Sequence, residues 1–521
     1  MSLIPVKALR VICGLAILFF HLGLIFISMV DIELINFMGR RFTKASLYLA
    51  KEGQTSNLAQ YGFLSLMTFL FLVATLWVSL RGYLTVRASL QGLKGYGQKI
   101  FLVVAMIPLV VIAGRGGLQL KPMSFVDAKV IDHPFSHHLI LNTGFTFIKS
   151  YGKNTFQKEK YFSEEKMLSL LNQDSSESII SHESFKAQGY NLVIFIVESL
   201  SQEYLSKEQT PFLSKLAEEG VYFDKSYANG RRSIEGIASI LAGIPALMEE
   251  PFLNSEFATN DFIGLGQLLR KKNYHTSFFH GAKNGSMRFD VFTKASGFDN
   301  YYGKNEFPDP SQDDGYWGIY DKPFLNFSCE TMSQFQEPFA SVVFTLSSHQ
   351  PFKVPDSFAV PEGAQSEPPI LKSISYTDSA LKGYFECARN KKWFDKTIFV
   401  VVADHTGPAL NPDKANFEDA FKVPLIFYSA HKEVLKGLDS KQYAQQIDIL
   451  PTLNDLLDLG LISDNHLSRS LYKTGRKTIA LFSDHQYQLV GDTDLSEDRL
   501  KAIKQYFSEG LYDNRLYYPH R

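Results

Sequence analysis

A chain of 521 residues is long enough for several domains, so a sizeable buried core is no difficulty. With 53 Lys and Arg against 54 Asp and Glu the formal net charge is -1, and no basic tail stands out, which removes any bulk electrostatic reason to expect nucleic acid as the partner. Three cysteines, Cys13, Cys329 and Cys387, cannot build a disulfide framework, and no C-x-x-C suggests a zinc knuckle or a redox site. At most Cys329 pairs with Cys387; two buried thiols in helical segments are the expectation.

Residues 8–30 form an apolar run of bilayer-spanning length, interrupted by Arg10 and His21. Two more runs follow at 61–80 and 100–113, the latter with Pro108 inside it. Three spans within residues 1–120 are expected. A cleaved signal peptide is the competing reading of the first run, but no small-residue cleavage site followed by polar sequence is present. Lys7 and Arg10, together with Arg81, Arg87, Lys94 and Lys99, place the N-terminus and the second loop inside, against the pull of Arg40, Arg41, Lys44 and Lys51. Three spans then deliver everything after about Gly114 to the outside. His21 reads as a neutral, helix-packed histidine.

Residues 121–189 read as a juxtamembrane linker, and 190–521 as the soluble domain. From 191 the pattern is strand, helix, strand, helix. The run NLVIFIV at 191–197 is continuously apolar, as a parallel strand covered on both faces should be. Thr210-Pro211 opens a helix closed by Gly220. Further strands are expected at 275–279, 340–346, 397–402 and 423–428, and helices at 262–272 and 374–393. The class is α/β, a sheet sandwiched by helices, whose chemistry should collect beyond the carboxyl ends of the strands.

Two strands end in such chemistry. The first runs directly into Glu198, and TIFVVVA runs directly into Asp404-His405. Oxygen and imidazole ligands together suit zinc or manganese; a magnesium site would usually be all oxygen. An isolated Asp-His pair means little, but a carboxylate closing an apolar strand needs a charge partner. Ser233, in NGRRSIEG, falls at the start of a helical run with Arg231 and Arg232 beside it. Locally it is evenly balanced between a helix cap and a nucleophile at an anion-binding helix end. A divalent ion within reach would lower the hydroxyl pKa, and Arg232 could neutralise a phosphoryl group.

The ordered set Glu198, N-G-R-R-S-I-E-G, F-H-G, S-S-H-Q-P-F and A-D-H-T-G resembles the lipoteichoic acid synthase group of the alkaline phosphatase and sulfatase superfamily. The resemblance covers roughly residues 115–459. It implies that Glu198, Ser233, Asp404 and His405 hold one manganese or zinc ion and that Ser233, where this family usually has threonine, is the nucleophile. It also implies that His349 contacts the substrate phosphate and protonates the leaving oxygen, and that Arg288 holds the phosphate or glycerol group. His280 reads as structural. Trp317 and Asp321 read as packing and capping, and Asp448 with Thr452 as a helix start. The family's tryptophan near Arg288 has no obvious counterpart.

The expected function is a phosphoglycerol-type transfer from a membrane phospholipid such as phosphatidylglycerol to a glycan or polymer of the cell envelope. The expected location is a bacterial plasma membrane, multi-pass, with the catalytic domain outside. A phosphoethanolamine transferase or a phosphodiesterase is the alternative. Sulfuric ester hydrolysis is weaker, because Ile234 and Glu235 follow Ser233 where formylglycine-forming sulfatases carry a C/S-x-P-x-R context.

Overall fold

The computed structural model describes residues 95–130, 140–151, 156–172, 187–461, 465–492 and 496–516, apart from 414, 474, 476 and 477, with scattered positions between 16 and 85. The chain divides into two compact units, Met1–Thr155 and Phe156–Arg521.

In the first unit the third apolar run becomes the helix Tyr96–Arg115, with Pro108 inside it. It leaves Phe101 74% and Val110 63% exposed, more apolar surface than water tolerates cheaply. Among the described residues no helix is long and apolar enough to cross a membrane. Much of the runs at 8–30 and 61–80 lies outside those residues. His21 is exposed on its helix beside exposed Phe19 and Phe20, so the packed setting expected of it is not what forms.

The second unit is organised by its strands, β1 (Asn191–Val197), β2 (Val221–Phe223), β3 (Ser226–Tyr227), β4 (His275–His280), β5 (Asn300–Tyr302), β6 (Phe339–Phe344), β7 (Thr397–Ala403), β8 (Leu425–Tyr428), β9 (Ala444–Gln445), β10 (Thr478–Ser483) and β11 (Gln486–Gly491). Seven of them form one sheet in the order β2-β8-β7-β1-β6-β4-β5. From β7 through β5 the pairing is parallel, whereas β8 runs antiparallel to both β7 and β2. Every residue of β1, β6 and β7 is buried, which is why these strands read as unbroken apolar runs. Register sets their ends level: Val197 lies opposite Ala403, Ile196 opposite Phe344, and His280 opposite Phe344. Glu198 and Asp404 therefore leave the sheet side by side.

Helices Asp321–Met332 and Pro369–Arg389 run beside one another, and a disulfide joins Cys329 to Cys387 across them, Cα to Cα 6.6 Å. The expectation of two thiols is corrected. The packing brings the two backbones within bridging range, which spacing in sequence could not reveal. Closing a loop of 58 residues restricts the unfolded chain by about 4 kcal/mol on the chain-entropy account. Reduction, or Cys387→Ala, should lower the urea midpoint of the second unit accordingly while leaving the folded far-UV spectrum intact.

Residues 156–172, inside the stretch read as linker, belong to the second unit. There Gln505 Oε1, on the C-terminal helix Glu497–Tyr512, accepts the N–H groups of Tyr161 and Phe162 at 2.8 Å each.

Candidate active site

At the carboxyl edge of β1 and β7 the chain makes a tight constellation. Asp404 is 0% and Glu198 2% exposed, so both carboxylates are removed from water. Ser199, next after Glu198, takes a left-handed φ of 56° that few non-glycine residues adopt. With that turn its N–H donates to Asp404 Oδ1 at 2.8 Å, as does the N–H of His405, and its Oγ donates to Glu198 Oε1 at 2.7 Å. Asp404 Oδ2 is buried and accepts no hydrogen bond.

His405 completes the arrangement through its tautomer. Its Nδ1 lies 2.8 Å from the Thr406 carbonyl oxygen, which can only accept, so the neutral ring carries its proton there and offers a lone pair at Nε2. That Nε2 lies 3.3 Å from Asp404 Oδ2, 3.6 Å from Glu198 Oε1 and 3.4 Å from Ser233 Oγ. Glu198, Asp404 and His405 offer ligand atoms within 4.8 Å of one another. Burial first, and the Asp404 charge second, push the Glu198 carboxyl well above the usual carboxylate range. A lone pair and an orphaned carboxylate oxygen 3.3 Å apart, beside a second buried carboxylate and with no Lys or Arg paired to either acid among the described residues, are what a divalent ion would satisfy.

Ser233 is the first residue of the helix Ser233–Ala242, and Arg232 is its N-cap. The capping alternative is thereby answered: it is Glu235 Oε2 that accepts the N–H groups of Arg231 and Arg232, at 2.9 and 3.1 Å. Ser233 Oγ is left to face Glu198 Oε2 and His405 Nε2, each at 3.4 Å. Arg232 is drawn elsewhere: its guanidinium donates to Glu235 Oε1 and to the Glu249 carbonyl at 2.7 Å.

The helix can start here because Gly236 lets it touch the strand end. A Cβ at 236 would stand 2.1 Å from the Asp404 carbonyl oxygen and 3.0 Å from Asp404 Cα. Gly236→Ala must therefore shift helix or strand, and displacement of the order of 1 Å should cost about 100-fold in turnover, with destabilisation of about 1–3 kcal/mol. Parallel measurement of kcat and the urea midpoint tests this; an unchanged kcat would contradict the close approach. Gln446 and Asn229 fix the same junction. Gln446 Nε2 donates to the carbonyls of Ala403 and Asp404 at 2.7 Å each, and its Oε1 accepts from Asn229 N–H at 2.8 Å. Asp448 and Thr452 shape a helix start, as expected.

His349 follows β6 on a loop bound to this edge, where Ser348 Oγ donates to the Glu198 carbonyl at 2.6 Å. Buried Asp321 accepts the N–H groups of Leu346 and Ser347, so it positions this loop as well as starting its own helix. His349 Nδ1 lies 2.9 Å from the Gln350 carbonyl, leaving Nε2 available. Trp317 does more than pack. Its ring stands 4.1 Å from that of His349, and its Nε1–H donates to the same Gln350 carbonyl at 2.8 Å. Arg288 is buried just past β4, in a left-handed conformation before the helix Phe289–Ala295.

His280, the last residue of β4, is buried against Phe344 and Phe289, and burial pushes its pKa down to about 4. The fold holds it neutral while the unfolded chain takes a proton near pH 6.5. Its contribution is thus fully present above pH 6.5 and is lost as pH falls toward 4, by about 3 kcal/mol at most. Urea midpoints between pH 7 and 4.5 should fall less steeply in His280→Asn than in the parent.

A profile of the Sulfatase family matches residues 185–459, more than half of the chain, and the chain belongs to that family. Lipoteichoic acid synthase 2 of Bacillus subtilis (strain 168) is 27% identical over 299 residues, 52% of this chain and 45% of that protein. Lipoteichoic acid synthase of Staphylococcus saprophyticus is 23% identical over 408 residues, 69% of this chain and 60% of that one. The chain spans about half the length of the curated relatives it matches. Among solved structures, an alkaline phosphatase superfamily protein from Vibrio parahaemolyticus superposes with a TM-score of 0.58 at 24% identity, over 69% of this chain and 98% of that one. The lipoteichoic acid synthase LtaP from Listeria monocytogenes gives 0.55 at 18%, over 67% and 99%. These likenesses show the fold.

Proposed function

We propose that this chain is a metal-dependent transferase that moves a phosphoglycerol-type headgroup from a membrane phospholipid to a hydroxyl of a cell-envelope glycan or polymer, through a covalent Ser233 intermediate. The observation that carries the reading is the cluster of Glu198, Asp404 and His405 at one sheet edge, with Ser233 Oγ 3.4 Å from both Glu198 Oε2 and His405 Nε2.

Two carboxylates, an imidazole and a hydroxyl suit manganese or zinc better than magnesium. Such an ion would supply the positive charge that favours ionised Ser233 and the transferred phosphoryl group. Ser233, its proton lost to solvent, attacks phosphorus as the bond to the diacylglycerol oxygen breaks, and protonated His349 gives that oxygen its proton from Nε2. In the second half an acceptor hydroxyl passes its proton to His349, attacks phosphorus and releases Ser233. Trp317 and the Gln350 carbonyl hold the His349 ring in one orientation throughout. Arg288 binds the phosphate or glycerol end, and half-exposed Arg232 keeps a cation beside the nucleophile.

The apolar surface of Tyr96–Arg115 supports a bilayer setting, where the donor is held at high effective concentration. The Cys329–Cys387 disulfide supports an oxidising, extracytoplasmic one at a bacterial plasma membrane. The test is diacylglycerol release from vesicles containing labelled phosphatidylglycerol, with manganese or zinc supplied. No release from any phosphatidylglycerol vesicle, with release from phosphatidylethanolamine instead, would reassign the donor.

A further inference from the structure

Beside the nucleophile's helix lies a cavity of about 290 Å³ that the reaction as described leaves unused. One wall is Arg231 with the Arg232–Glu235 pair, another is the segment carrying Met248 and Glu249, and the third is the β10–β11 hairpin through Phe482, Ser483 and Asp484. That hairpin lies beyond residues 185–459, so the family match accounts for only part of the enclosure.

The walls are fixed in place. Arg232 Nη2 donates to the Glu249 carbonyl from one side. From the other, Tyr487 Oη donates to the Leu247 carbonyl at 2.6 Å while its ring packs on Phe482 at 4.5 Å. The hairpin turns on Asp484 and His485, with φ of 50° and 61°, a pair of left-handed positions usually given to glycine or asparagine. Retaining Asp there costs backbone energy and sets its carboxylate at the cavity wall. Glu249 Oε2, buried without a hydrogen bond, lies 3.5 Å from His485 Nδ1.

We infer that this cavity is the acceptor site, and that it takes a neutral polyhydroxylated unit, a glycosyl or polyol end; the assignment rests on the transferase reading above. Charge decides the class. Arg232 is matched by Glu235, which leaves Arg231 against Glu249 and Asp484, so the lining favours a neutral ligand over a polyanion. Carboxylates and Ser483 accept or donate at hydroxyls, while Met248 and Phe482 offer the apolar surface that the C–H faces of a sugar need. The volume, at the lower end of small-molecule pockets of about 300–1,000 Å³, suits one such unit. Arg232, which lines the cavity, is the N-cap of the helix that Ser233 begins, so the cavity adjoins the N-terminus of the nucleophile's helix.

The full chain, titrated with maltotriose and separately with glycerol 3-phosphate by saturation-transfer NMR, tests this without turnover. Maltotriose should bind the parent, and Asp484→Asn and Glu249→Gln should each weaken it about tenfold, the turn surviving because asparagine accepts the left-handed conformation. Maltotriose that does not bind, or binds the variants equally, overturns the assignment. So does preferential binding of glycerol 3-phosphate that Arg231→Gln abolishes and Asp484→Asn strengthens, which would make the cavity an anion site. Absence of phospholipid cleavage would contradict the transferase reading and leave these binding results standing on their own.

Discussion

Ser233→Ala should abolish diacylglycerol release from phosphatidylglycerol vesicles, by at least about 10³-fold in kcat, while leaving the urea midpoint nearly unchanged. The hydroxyl makes only two long contacts, 3.4 Å each, to Glu198 and His405, so its loss removes little folding energy. Nor does the helix start depend on it, because Glu235 Oε2, not Ser233, accepts the N–H groups of Arg231 and the N-cap Arg232. A structural serine would behave in the opposite way, with a stability loss and residual turnover. Ser233→Thr should retain substantial activity, since the attacking oxygen is preserved.

The second large effect concerns the metal. Chelation should remove activity, and manganese or zinc should restore it while raising the unfolding midpoint; at a concentration 100 times Kd the bound ion stabilises by about 2.7 kcal/mol. In Asp404→Asn both responses should disappear. Yet the metal-free variant should be at least as stable as the metal-free parent, because the charge that helps push Glu198 above the carboxylate range is gone. A metal-free Asp404→Asn protein several kcal/mol less stable than the parent would mean that Asp404 serves the fold rather than an ion.

Much of this site could be read from the chain because the sheet does the placing. An unbroken apolar run such as β1 or β7 is unmistakable when both faces are covered, and the residue that ends it must sit at the carboxyl edge. Glu198 and Asp404 were legible for that reason. The antiparallel course of β8 was not, since 425–428 is as apolar as its parallel neighbours and periodicity carries no direction. Trp317 escaped because its value lies in a ring contact 32 positions away along the chain, and its own segment reads equally well as packing. Gln446 escaped for the same reason: its two hydrogen bonds to the Asp404 strand end are tertiary. Arg232 lies beside the nucleophile in sequence, but that Glu235, three residues on, would engage its guanidinium could not be read from that proximity. The β10–β11 hairpin, with no strong alternation at its tip, gave no warning that it would wall a cavity beside the nucleophile.

The most direct test of the central claim is the intact mass of the metal-loaded chain after brief mixing with phosphatidylglycerol in the absence of any acceptor. The account predicts a species heavier by one phosphoglycerol group, mapped by peptide fragmentation to Ser233 and discharged when acceptor is added. Diacylglycerol released at full rate with no adduct at any time, or an adduct mapped to another residue, would contradict it.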